Sequence, residues 1–279
     1  MRRSGHIWTK VLIGATVLSL LTAVSWSQQP ERPARYFLSG RDPDYHAVRT
    51  PNASGAQALL RVSLAYVTYN KPQPRFLYIV SRANLGGDRS DGVLGYQAAG
   101  FVRGRDFDVA SASGIRSDGT DYLGQPVLDL NTVDFLQYDA LVVASEPGWL
   151  TRSEVDVLIR RRDDIRRFLE TPEKGLIAWA ASHNVVLNYD YLPVRISFQP
   201  AGGWESGHQV TPVGASIGLT DQMVNGNWYH LYFTEFPAGW EVASVDASGR
   251  PVDIVPEPAS LLALGAGLAG IVGLRRCKQ

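Results

Sequence analysis

The chain has 279 residues, 45% hydrophobic and 19% charged, with 27 basic side chains against 27 acidic ones. That is the makeup of a globular core with a polar shell. With Arg2, Arg3, Lys10, Arg275, Arg276, Lys278 and Glu257 set aside, residues 28–254 keep 21 basic and 26 acidic side chains, a net of −5. Nothing in that balance points to the basic patch that a nucleic-acid partner requires.

In chain order, Arg2, Arg3 and Lys10 form a positive region, followed by the apolar run Val11–Val24 and the small residues Ser25 and Ser27. These parts predict a signal peptide over residues 1–27, cut by signal peptidase after Ser25 or Ser27. The alternative is an N-terminal anchor. Fourteen residues of helix cover about 21 Å, short of a hydrocarbon core of about 30 Å.

After a lead at residues 28–35, one continuous domain is expected over 36–254. Gly55–Tyr66 predicts a helix with Ala58, Leu59, Val62 and Ala65 on its inner face. Phe76–Val80, Asp139–Ser145 and Leu176–Ala180 are continuous apolar runs, as in strands covered on both faces, and Asp106–Val109 is a weaker fourth. A further helix is expected over Val93–Phe101.

Thr151-Arg152-Ser153-Glu154 forms a capping box opening a helix that runs on towards Pro172. Its apolar stripe is Val155, Leu158, Ile159, Ile165, Phe168 and Leu169, and its Arg- and Asp-rich side is solvated and internally paired. Trp240–Asp246 and Val252–Ile254, around Ala247-Ser248-Gly249, predict an antiparallel hairpin at one edge of the sheet. The fold class is therefore α/β: a three-layer, flavodoxin-like sandwich with a mostly parallel sheet and a C-terminal hairpin.

The run Tyr138–Ser145, then Leu150–Glu154 and a long helix, then Gly175–Ala180 resembles the core of ThuA-like and class I glutamine amidotransferase-like domains. Thr211–Asp221, Val224–Asn227 and His230 resemble the later part of the same domain. The resemblance implies a nucleophile after the strand at 176–180, where Ser182-His183 stands instead of cysteine, and a base at His230. The family's histidine is followed two residues on by an orienting glutamate, and here that position is Tyr232. The only cysteine is Cys277, outside the domain, so the domain has no thiol nucleophile and no disulfide. A degenerate, non-catalytic domain in a binding or structural role is expected, with no cofactor. The alternatives are a serine-type hydrolase using Ser182 and His230, and an exopolysaccharide-binding module.

Three weaker features remain. Gly86-Gly87-Asp88 can offer backbone N–H groups to an anion, although without the fuller phosphate-binding pattern a plain strand-to-helix loop is the expected reading. Asp42, Asp44 and His46 alternate in a turn around Pro43, and carboxylate oxygens with imidazole can hold a cation. No metal is otherwise indicated. Trp204, Trp228, Tyr229, Tyr232, Phe233, Phe236 and Trp240 crowd the last third; exposed rings of this kind stack on sugars.

The end reads Val255-Pro256-Glu257-Pro258, an uncharged run Ala259–Leu274, then Arg275-Arg276-Cys277-Lys278-Gln279. Sixteen residues make about 24 Å of helix, enough to span a bilayer when terminal basic side chains reach back to its interface. The basic cluster stays cytoplasmic, leaving the Pro-Glu-Pro element at the outer face. The prolines hold that element extended. The order of parts over 255–279 resembles the PEP-CTERM sorting signal of biofilm- and exopolysaccharide-producing Gram-negative bacteria. The resemblance implies an exosortase as partner, transient membrane association through 259–274, and an inner-membrane intermediate on the way to the cell surface or medium.

Overall fold

The computed structural model describes residues 32–49, 51–81, 91–112, 119–121, 124–147, 149–181, 187–204, 206–226 and 228–257. The first half runs β1 (Arg35–Ser39), α1 (Pro43–His46), α2 (Ala53–Val67), β2 (Phe76–Ile79), α3 (Asp91–Ala98), β3 (Phe107–Ser111), β4 (Leu128–Asp129) and β5 (Ala140–Val143). There follow α4 (Arg152–Arg160), α5 (Arg162–Glu170), β6 (Gly175–Ala178), β7 (Ser197–Trp204), β8 (Gln209–Val210), α6 (Pro212–Ser216), α7 (Asp221–Val224), β9 (Trp228–Glu235), β10 (Trp240–Val245) and β11 (Pro251–Pro256).

Nine strands form one sheet in the order β4-β3-β2-β5-β6-β1-β11-β10-β8, and β7 pairs with β9 in a second sheet. Every pairing from β4 to β1 is parallel. β11, β10 and β8 then add antiparallel. The mostly parallel α/β sheet with a C-terminal antiparallel hairpin is thus as expected. β2, β5 and β6 are buried at every position, because both their faces are covered. The order β3-β2-β5-β6 is a flavodoxin-like winding: the chain goes outward from β2 to β3, then returns to β5. Ligands of such sheets enter at the carboxyl ends of the strands, near that reversal.

Three local expectations differ from the structure. The helix expected from Thr151 to the Pro172 region breaks at Arg161, whose φ is −97° and ψ 18°. Its guanidinium turns inward, donating to the Leu130 carbonyl at 2.8 Å and lying 4.0 Å from the centre of the Phe135 ring. Val155, Leu158, Ile165, Phe168 and Leu169 nonetheless stay buried on one side. The inner face of α2 is Ala56, Leu59, Leu60, Leu64 and Val67, rotated from the expected stripe because the helix packs against α1 and α7 as well as β1 and β6. β1, half polar and five residues long, carries no strong strand signal, yet it sits between β6 and β11.

Candidate functional site

The carboxyl end of β1 leads into Gly40-Arg41-Asp42-Pro43-Asp44. Three hydrogen bonds pin this turn. Gly40 N–H donates to the Val252 carbonyl at 2.8 Å, His230 N–H to the Gly40 carbonyl at 2.7 Å, and Ala180 N–H to the Arg41 carbonyl at 2.9 Å. A side chain at Gly40 would place its Cβ 1.9 Å from the Leu231 carbonyl oxygen. Glycine therefore lets β9 lie directly on the turn.

Two histidines meet one carboxylate there. Pro43 opens α1, so His46 stands one turn beyond Asp42, with Nε2 at 3.4 Å from Asp42 Oδ2. From β9, His230 Nε2 reaches the same oxygen at 3.0 Å. Asp42, His46 and His230 are 1%, 6% and 5% exposed. Asp42 Oδ1 is buried without a hydrogen-bond partner. Burial holds the His46 pKa below its usual value, against the pull of Asp42, and His230 and Arg49 push it the same way. Both rings thus present Nε2 within 3.4 Å of one carboxylate oxygen.

Asp44 faces the other way, over the ends of β2 and β5. It accepts from Ser145 N–H at 2.9 Å, Ser145 Oγ at 2.7 Å, Tyr78 Oη at 2.8 Å and Tyr45 N–H at 3.1 Å. Of the trio Asp42, Asp44 and His46, the fold brings the first and last together with His230 and commits Asp44 to Ser145 and Tyr78. Among the described residues no group of three His, Cys, Asp or Glu side chains is arranged to hold a metal ion. Ser182, His183 and Gly86-Gly87-Asp88 lie outside the described residues. The partner that sequence reasoning missed is Asp42: it stands where an orienting acid for His230 was sought at Tyr232. Only the Asp-Pro-Asp turn hinted at it, and nothing in the spacing tied that turn to His230.

Behind Asp42 lies a second polar cluster. Arg41 is fully buried. Its guanidinium donates to Asp253 Oδ2 at 3.2 Å, the Val224 carbonyl at 2.7 Å, His208 Nδ1 at 2.8 Å and Ser244 Oγ at 3.2 Å. As an acceptor from arginine, His208 is neutral. Burial, then Arg41, lowers its pKa to about 4. Asp44 moves the opposite way, pushed up to about 6 by burial despite the donors from Ser145 and Tyr78.

The two titrations have opposite signs. The contribution of His208 is full above its ordinary 6.5 and is lost as pH falls to about 4. His46 acts in the same direction. Asp44 contributes fully below its ordinary 3.8, and that contribution is lost as pH rises to about 6. Asp44 therefore offsets part of the acid sensitivity. Asp44→Asn should lose stability more steeply than wild type between pH 6.5 and 4, in urea melts at closely spaced pH. Parallel slopes in the two proteins contradict this pairing of signs.

The late aromatics pack inward where they are described. Tyr229 and Phe233 are buried. Tyr232 lies 4.4 Å under the Arg250 guanidinium, and Trp240 packs on Tyr36 at 5.1 Å. None of the described members is exposed.

Residues 255–276 match the PEP-CTERM protein-sorting motif, and the match overlaps the α/β domain only at Val255 and Pro256, the last two residues of β11. The motif supports export, a membrane-anchored C-terminal signal and processing by an exosortase. No curated protein matches the chain. Residues 1–27, expected to be a signal peptide, and the apolar run Ala259–Leu274 lie outside the described residues; among those described, no helix is long and apolar enough to cross a membrane.

Proposed function

We propose that the chain is an exported protein, freed by an exosortase from a membrane-held intermediate, whose α/β domain serves in the envelope or matrix by binding rather than by amidotransferase chemistry. The observation that carries the reading is the sorting-motif match at 255–276, preceded by a domain without cysteine. A glutaminase needs a thiolate nucleophile after its strand, and this domain has none to offer. The side of the sheet we favour for a ligand is that of the strand carboxyl ends, beneath which Asp42, His46 and His230 form a buried polar cluster at the end of β1. In a host lacking its exosortase, the protein should remain in the inner-membrane fraction. In the parent host it should reach the surface or medium. The same distribution in both hosts removes the sorting role.

A second reading, a serine-type hydrolase, gains one specific support: His230 has an acid, Asp42, at 3.0 Å. On that reading Ser182 is the nucleophile and His230 its base. A fluorophosphonate probe should then label Ser182 in the wild type, and labelling should be lost in His230→Gln. Absence of labelling in the folded wild-type protein leaves the binding reading standing alone.

A further inference from the structure

Resting on the sorting role proposed above, we infer that the bond broken in tail removal lies beyond Glu257, so that the enzyme works on the folded domain and the mature protein keeps β11 whole. The matched motif begins at Val255, yet Val255 and Pro256 are the last two residues of β11. Val255 pairs with Glu241, and Pro256 pairs with Trp240. Val255 is fully buried. Tyr66 Oη donates to the Pro256 carbonyl at 3.4 Å. Glu257 N–H donates to the Gly239 carbonyl at 2.7 Å, carrying the ladder one residue past the strand.

A peptidase cleft commonly engages its substrate as an added strand, through the backbone N–H and C=O groups. Along β11 those groups face β10 as far as Pro256, and β1 at Asp253 and Ile254. The nitrogen of the Pro256–Glu257 bond is the one bound to Gly239. The next bond, Glu257–Pro258, is the first past the last sheet hydrogen bond. Cutting earlier within the motif requires β11 to peel from β10 and bring Val255 out of the core. Cutting later opens no sheet bond.

The chemistry is acyl transfer. The scissile C–N bond breaks, the carbonyl carbon takes the oxygen of water or the nitrogen of an acceptor amine, and the attacking group's proton passes to the leaving nitrogen. Only Glu257 and Pro258 separate β11 from the apolar run at Ala259. Two residues reach about 7 Å when extended. The partner must therefore accommodate the edge of the folded domain, not a free linker.

Tandem mass spectrometry of the C-terminal peptide of the exported product from its native host tests this. The expected last residue from this chain is Glu257 or a later one. An end at Val255 or Pro256 overturns the inference while leaving tail removal intact. An end at Gln279 overturns both. A second test locks the strand. Glu241→Cys/Val255→Cys, with Cys277→Ser to remove the native thiol, places two cysteines at a cross-strand pair, within reach of a disulfide in an oxidising compartment. Tail removal should proceed equally in the oxidised and the reduced forms of this variant, so that any effect of replacing Val255 within the motif cancels. Processing that is lost on oxidation and restored by reductant shows that β11 must peel, and overturns the inference.

Discussion

Gly40→Ala is expected to destabilise the fold by about 4 kcal/mol, in the range reached only by severe packing or backbone faults. The added Cβ would stand 1.9 Å from the Leu231 carbonyl oxygen and 3.3 Å from Leu231 Cδ1. A flexible side-chain end could yield, but a carbonyl in a paired strand cannot without moving its strand. β9 is held there by the His230 N–H bond to the Gly40 carbonyl and by the bridge between Arg41 and Tyr229. Relief of the clash must lift β9 off the turn, which also withdraws His230 from Asp42. Urea unfolding measures the loss. Gly100→Ala is the control: nothing lies within 4 Å of its Cβ, but its φ is +99°, so strain alone should cost about 1–2 kcal/mol. Equal losses in the two variants contradict the close approach at Gly40.

Arg41→Met should cost about 3–5 kcal/mol, the toll of breaking a buried ion pair from one side. Both Arg41 and Asp253 are fully buried. Removing the guanidinium leaves Asp253 charged in the interior with Ser244 as its remaining donor, and strips the Val224 carbonyl and His208 of their partner. Arg41→Met/Asp253→Asn should recover a large part of the loss, since a pair replaced on both sides leaves no uncompensated charge. Arg41→Lys should fall between them. An ammonium has three donors on one atom and cannot span four acceptors spread around a planar fork. If the double variant is no more stable than Arg41→Met, the charge is not what the site requires.

The parallel core was legible because its strands are apolar throughout. Phe76–Ile79, Ala140–Val143 and Gly175–Ala178 leave no polar position to blur the signal. The hairpin at the end was legible from its turn, where Gly249 has φ +81° and Asp246 accepts from Ser248 and Arg250 N–H. The break at Arg161 was not, because no glycine or proline marks it; a long-range tether to Leu130 makes it. Glu154 closes the capping box that the sequence predicts. It does reach back to Thr151 N–H at 3.3 Å, but it is fully buried and also accepts from Ala112 N–H at 3.1 Å, so it joins α4 to the end of β3.

The candidate site was half legible for a similar reason. The Asp42–His46 contact is local, one helical turn apart, and follows from spacing. The contact of His230 with Asp42 depends on β9 crossing the turn after β1. No local pattern encodes that crossing; it rests on the absence of a side chain at Gly40. Where β11 ends also escaped local reading. The stretch around Pro256 is extended as expected, but as part of the sheet: Pro256 pairs with Trp240 at the end of β11.

The intact mass of the exported product, taken from the parent host and from the host without its exosortase, tests the sorting role most directly. In the parent, the mass should lack both the leader and the apolar run with Arg275 and Arg276; in the other, the protein should keep its C-terminal tail. A surface or medium form that still carries the chain through Gln279 in the parent host would contradict it.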